Sequence, residues 1–273
     1  MSESTSVLTH HLEGEGETIL FLNGGFMTFS SWEVVAKPMR SGYRHLFCDL
    51  RGQIKSPGPS HSRLEDNVQD VLELLVSLNI EQVHVLGTSF GAFVGLLLAA
   101  TVPERVLSVI AATTTDVATP DLVRGVDDLR RTVVDIVEGG DAGRFHDLLL
   151  QEVYSPEFVT QYRQEFAKRR QQMGKLPRDW FAGLQGIITC TETVDLRPYL
   201  GRISCPTLVI HAARDEVIPR ERSLALAVAL ANSEFIEHPS SGHALVAEDP
   251  RWFADQCLDF LSRVAVGRHP ART

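Results

Sequence analysis

Short apolar runs alternate along the first part of the chain with stretches whose apolar positions recur every three or four residues. Residues 18–22 (TILFL), 45–48 (HLFC), 83–86 (VHVL) and 107–111 (LSVIA) have the length and composition of buried strands. Between them, Leu64, Val68, Val71, Leu72, Leu75 and Leu78 fall on one helical face, and residues 92–100 also read as a helix. Ser62 and Glu65 ahead of that face predict a capping box. Strand, helix, strand at this spacing predicts crossover units and a mostly parallel sheet covered on both faces.

The alternation then lapses. Across residues 116–200 helical patterns follow one another, at 121–138, 143–152, 156–172 and 179–193. Strand character returns at 207–211 (TLVIH) and 234–237 (EFIE), flanking a helix at 220–231, and a final helix is expected at 249–263. The pattern predicts an α/β core of residues 1–115 and 201–273 interrupted by a helical cap of residues 116–200. The tail, 268–273, is expected to fray.

Composition narrows the classes of partner. With 26 Lys plus Arg against 35 Asp plus Glu, the net charge of −9 disfavours nucleic acid and anionic membranes. Even the apolar stretch 92–102, broken by Gly95 and Thr101, is too short for a membrane span. Residues 1–17 are polar and acidic, unlike a signal peptide. Cys48, Cys190, Cys205 and Cys257 form no CxxC pair or metal-ligand cluster, so free thiols and a cytoplasmic location are expected.

The chemistry concentrates at three points that each follow an expected strand. Gly87-Thr88-Ser89-Phe90-Gly91 is a G-x-S-x-G match between the strand VHVL and a helix, the setting of a nucleophile elbow. A serine hydroxyl needs a base, and His243, in Ser241-Gly242-His243 after the last strand, is the candidate. Asp215, after TLVIH, is the candidate acid, with Asp116 after residues 107–111 as its rival. An oxyanion hole needs two backbone donors. The Phe90 amide is one candidate; in the loop Asn23-Gly24-Gly25-Phe26 the other is Gly25, with Phe26 second.

These pieces resemble the α/β-hydrolase superfamily over nearly the whole chain. The matching segments are the glycine loop 23–26, Asp49-Leu50-Arg51-Gly52 with Ser56, GTSFG, HAARDEVIP and SGH. The order Ser89, Asp215, His243 is that of the family's triads. The resemblance implies a mostly parallel eight-stranded sheet with helices on both faces, no metal and no organic cofactor. Two positions depart from the family: Asn23 stands where His is usual, and Ile54 where a second Gly is usual. The stretch LNGGFMTFSSW is locally similar to bacterial 3-(3-hydroxyalkanoyloxy)alkanoate synthases, relatives that join hydroxyacyl units delivered on a carrier or coenzyme A.

The expected activity is cleavage of a small-molecule carboxylic ester or thioester through an acyl-enzyme on Ser89. Acyl transfer from a carrier protein or coenzyme A and C–C bond hydrolysis use the same groups. A non-catalytic ligand-binding protein on this fold is the reading from another class. Phe26, Phe29, Trp32, Phe90, Trp180 and Phe181 are candidates for an acyl pocket or for ordinary core. Lys168, Arg169 and Arg170 lie in a basic island spanning 162–178, either a solvated helix face or a dock for an anionic handle. Asp49 and Arg51 are expected to brace their loop as an ion pair, Glu216 to be a solvated rim group, His211 and His238 to be structural, and His10 and His11 to lie on the surface. The sequence does not decide the oligomeric state.

Overall fold

The computed structural model describes residues 8–56 and 58–268, so residues 1–7 and the expected frayed tail beyond 268 lie outside the described residues. The described residues open with β1 (His10–Glu13) and β2 (Glu17–Leu22), followed by the short helix α1 (Glu33–Ala36), β3 (Tyr43–Cys48) and α2 (Leu64–Ser77). Next come β4 (Val83–Thr88), α3 (Phe90–Thr101) and β5 (Val106–Ala112). A run of helices follows: α4 (Pro120–Glu138), α5 (Gly143–Val153), α6 (Pro156–Gln161), α7 (Arg163–Met173), α8 (Arg178–Gly183) and α9 (Gln185–Thr193). The chain then returns to β6 (Thr207–Ala212), α10 (Arg220–Ala229), β7 (Ser233–His238), α11 (Leu245–Glu248) and α12 (Pro250–Arg268).

The strands form one sheet in the order β1-β3-β2-β4-β5-β6-β7. All pairings are parallel except that of β1 with β3. Among the described residues the sheet has seven strands, not the eight that the family resemblance implies, and β1 forms its outer edge. The sequence pattern passed over β1 because HHLE is short, polar and carries no apolar alternation. His10 and His11 therefore sit in an edge strand.

The continuous apolar runs of the central strands have a simple cause. A parallel sheet is buried on both faces, and alternate residues of each strand enter opposite cores. Leu20 and Leu22 of β2 join Val85, Val109 and Val209 beneath α2 and α3. Ile19 and Phe21 join Leu86, Ile110, Leu208 and Ile210 on the opposite face, where Trp32, Phe253, Phe260 and Leu261 cover them.

The inserted helices leave and rejoin the sheet layer at one place. Val117 and Asp195 form an antiparallel bridge, flanked by hydrogen bonds from Ala118 N to Val194 O (2.8 Å) and from Leu196 N to Asp116 O (2.7 Å). In α4 Leu122, Val126, Leu129, Val133 and Ile136 are buried at helical spacing, and the Thr119 side chain caps Leu122 N.

Three local expectations are corrected. No Ser62–Glu65 capping box forms: α2 starts after Arg63, without a side-chain cap. The helix expected over 179–193 divides after Gly183, whose carbonyl is drawn off the helix ladder by the Ser60 amide (2.9 Å) and hydroxyl (2.5 Å). The one expected over 156–172 divides at Tyr162, whose backbone (φ −108°, ψ 29°) leaves the helical region.

Candidate active site

Parallel strands deliver their following loops to one edge of the sheet. Sequence order reverses between β2 and β4, the position at which such sheets hold ligands. Ser89 follows β4 there with φ 51° and ψ −119°, a conformation costly for a non-glycine residue. The surrounding packing enforces it. A Cβ on Gly87 would stand 2.6 Å from the Gly91 carbonyl oxygen, and one on Gly91 would overlap the Leu22 carbonyl. The Ser89 amide is anchored to Ala112 O at 2.9 Å. The hydroxyl is thereby held at the amino end of α3, whose dipole favours negative charge at that point.

Ser89, His243 and Asp215, far apart in sequence, form one hydrogen-bonded line. His243 Nε2 is 2.9 Å from Ser89 Oγ, and His243 Nδ1 is 3.0 and 2.9 Å from the two Asp215 carboxylate oxygens. The Asp215 carboxylate is shut off from solvent and accepts the Val217 and Ile218 amides at 2.9 and 2.8 Å. Asp116 is engaged elsewhere, paired with Arg222. The loop carrying His243 is stiffened by His238, whose Nδ1 accepts the Ser241 amide at 3.0 Å and whose ring packs edge-on against Trp252.

The amides of Gly25 and Phe90 border the same cavity and have no acceptor among the described residues. Asn23 holds the glycine loop in place. Its Nδ2 donates to Cys48 O (3.1 Å), Asp49 Oδ1 (2.9 Å) and Gln53 Oε1 (3.0 Å), and its Oδ1 accepts the Trp32 indole N–H (2.7 Å). Gln53 Nε2 in turn donates to Gly24 O at 2.8 Å. Asp49 accepts the Phe29 and Lys55 amides at 2.6 and 2.8 Å. The expected Asp49–Arg51 ion pair is absent: Arg51 instead bonds Asp70 at 3.1 Å.

A cavity of about 490 Å³ rises from Ser89 and His243 to the inserted helices. Its wall is largely apolar, with Phe26, Phe90, Leu122, Leu129, Ile187 and Val217 among the lining residues. Phe26 faces it, whereas Trp180 and Phe181 are not among its lining. They are buried in a ring cluster with Phe145, which packs edge-on against Phe26 at 5.1 Å. Trp32 and the partly buried Phe29 belong to the core on the other sheet face. Exposed Glu216 lies on the cavity rim.

The basic island is divided by the structure. Arg170 bridges Asp147 (2.9 Å) and Asp141 (2.7 Å), tying α7 to α5. Lys168 is exposed and away from the cavity, while Arg169 reaches the cavity beside Tyr154. Burial pushes the Tyr154 phenol above its ordinary value, although Arg169 opposes the shift. Gln53, which holds the glycine loop, and Tyr154, which lines the cavity, are residues that the sequence reading missed. Gln53 was recoverable as the polar residue next to Arg51-Gly52; Tyr154 lies in no motif that marks it.

Among the described residues no group of three or more His, Cys, Asp or Glu side chains could hold a metal, and no helix is long and apolar enough to cross a membrane. The four cysteines are unpaired; burial raises the thiols of Cys48 and Cys190 to about 12.

The sheet order, the strained serine turn and the residues gathered around it define an α/β-hydrolase: the chain belongs to the alpha/beta hydrolase fold family, whose pattern matches residues 17–250. It is 26% identical over 264 residues to a protein of Pantoea ananatis provisionally named carbamate hydrolase RutD, covering 95% of this chain and 92% of that one. It is 26% identical over 266 residues to the 2-hydroxymuconate semialdehyde hydrolase of a Pseudomonas species, covering 92% and 89%. The solved structure of MGS-M2, an alpha/beta hydrolase enzyme from a deep-sea metagenome library of the Medee basin, superposes with a TM-score of 0.86 at 25% identity, covering 93% of this chain and 94% of that one. The chain is accordingly an enzyme of this hydrolase family.

Proposed function

We propose that the protein cleaves a carboxylic ester or thioester of a small molecule through an acyl-enzyme on Ser89. The observation that carries this reading is the unbroken hydrogen-bonded line from Ser89 Oγ through His243 to Asp215, at the floor of a largely apolar cavity. His243 Nε2 takes the hydroxyl proton as Ser89 Oγ bonds to the acyl carbon. The tetrahedral oxyanion is received by the Phe90 and Gly25 amides. As the intermediate collapses, the C–O or C–S bond breaks and the leaving alcohol or thiol takes the proton from His243. Water then repeats the sequence on the acyl-enzyme and regenerates Ser89. Asp215 holds the imidazole with Nδ1 protonated and stabilises the imidazolium.

C–C bond hydrolysis is a second reading, favoured by the likeness to an enzyme named as a semialdehyde hydrolase. The deciding experiment is a panel of p-nitrophenyl esters, acyl-thioesters and a vinylogous diketone, with products identified by mass spectrometry, alongside fluorophosphonate labelling. Ester or thioester turnover, stoichiometric labelling at Ser89 and their loss in Ser89→Ala support the proposal. Turnover retained by pure Ser89→Ala overturns it; diketone cleavage without ester turnover selects the second reading. Absence of both labelling and turnover would favour a non-catalytic ligand-binding protein on this fold.

A further inference from the structure

Three donors from two separate parts of the chain converge on the carboxylate of Glu248, at the end of α11. Oε1 accepts the Gly242 amide (3.2 Å) and the Ser155 amide (2.8 Å), and Oε2 accepts the Ser155 hydroxyl (2.5 Å). Gly242 immediately precedes His243. Ser155 belongs to the inserted helices, at the junction of α5 and α6. On the other side of His243, the Ala244 amide donates to Val153 O at 2.7 Å. The two backbones approach so closely that a Cβ on Gly242 would stand 2.8 Å from the Ser155 nitrogen. Between Val153 and Ser155 lies Tyr154, which lines the cavity.

Both chain neighbours of His243 are therefore fastened to the segment that walls the substrate cavity. We propose that Glu248 is a positioning residue: it clamps the Gly242–His243 loop to residues 153–155 of the inserted helices, so that seating of the helical cover and alignment of His243 with Ser89 are one event. This inference rests on the serine-hydrolase reading above and adds a device to it. A carboxylate suits the place because it only accepts, and it offers two oxygens to three donors. Without it, two backbone amides lose an acceptor and the loop loses its link to the cover. The ring of His243 keeps its bonds to Asp215 and Ser89 only if its backbone stays put. Proton transfer is sensitive to displacements of about 1 Å, which can cost on the order of 10²-fold in rate.

The test compares Glu248→Ala, Glu248→Gln, Ser155→Ala and Ser89→Ala in the full chain. It measures kcat and KM on a p-nitrophenyl ester, the rate constant for fluorophosphonate labelling of Ser89, and Tm. In Glu248→Ala, kcat and the labelling rate should fall by on the order of 10²-fold while KM moves less than about threefold. Glu248→Gln should recover most of the loss, since its amide oxygen still accepts the two N–H groups and its NH₂ can donate to the Ser155 hydroxyl. Ser155→Ala, which breaks one link only, should lie in between. A folded Glu248→Ala with undiminished kcat, or with the loss confined to KM, overturns the inference. If Glu248→Ala does not fold, undiminished kcat and labelling rate in Ser155→Ala overturn it. Turnover by Ser89→Ala would instead overturn the underlying reading and this inference with it.

Discussion

Asn23 accepts the indole N–H of Trp32 at 2.7 Å, from beneath the loop that presents the Gly25 amide. Both side chains are fully buried, and the Asn23 amide also joins Asp49 and Gln53. Asn23→Ala strands the Trp32 donor and removes a donor from the buried Asp49 carboxylate. A buried polar group left without its partner costs about 1–3 kcal/mol. The variant should lose about 2–4 kcal/mol in urea unfolding, and kcat should fall more than KM rises because the oxyanion loop loosens. An unchanged urea midpoint would contradict this account of the loop.

The sequence names Asp215 as the candidate acid and Asp116 as its rival; in the structure Asp215 bonds His243, whereas Asp116 pairs with Arg222. Asp215→Asn should lower kcat by on the order of 10³–10⁴-fold with little change in Tm, because the amide oxygen stays with the Val217 and Ile218 amides and the new NH₂ faces His243 Nδ1, which selects the wrong tautomer. Asp116→Asn breaks the pairing with Arg222 and should lower Tm while leaving kcat within about threefold. The reverse pattern in steady-state kinetics would transfer the acid role to Asp116.

The Ser89 backbone supplies a test that needs no substrate. Its φ of 51° with ψ −119° is held by packing around Gly87 and Gly91. Strain of this kind costs about 1–3 kcal/mol for a residue with a Cβ, and glycine gives back about 1 kcal/mol through its freer unfolded chain. Both Ser89→Ala and Ser89→Gly should be inactive, and Ser89→Gly should be the more stable by about 1 kcal/mol in thermal unfolding. Greater stability in Ser89→Ala would show that the turn is relaxed.

Two buried histidines set an acid limit on stability. Burial lowers the imidazoles of His45 and His211 below their ordinary value of 6.5, and for His45 it outweighs Glu13, 3.8 Å away. Below 6.5 the unfolded chain takes up protons that the folded chain refuses. The contribution of these residues is thus complete above that value and declines as pH falls toward the lowered folded values. Urea midpoints measured from pH 8 to 5 should fall through this window. His45→Phe, set between the rings of Phe21 and Phe47, should flatten part of the decline. A midpoint independent of pH over that range would refute the assignment.

The parallel sheet was legible because its strands are buried on both faces and therefore read as unbroken apolar runs; HHLE, exposed at an edge, gave no such signal. Ser89, Asp215, His243 and the Gly25 loop could be expected to meet because each follows a strand, and in a parallel sheet such loops share one edge. That much was local chemistry joined to a rule of topology. Tertiary structure alone decided what depends on partners distant in the chain. Trp180 and Phe181 became core because Phe145 packed against them. Arg170 was consumed by Asp141 and Asp147, Arg51 turned to Asp70, and Glu248 found Ser155 on the inserted helices. A side chain's type fixes which bonds it can make, whereas its choice among them is set by which groups the fold leaves unpaired within about 3 Å.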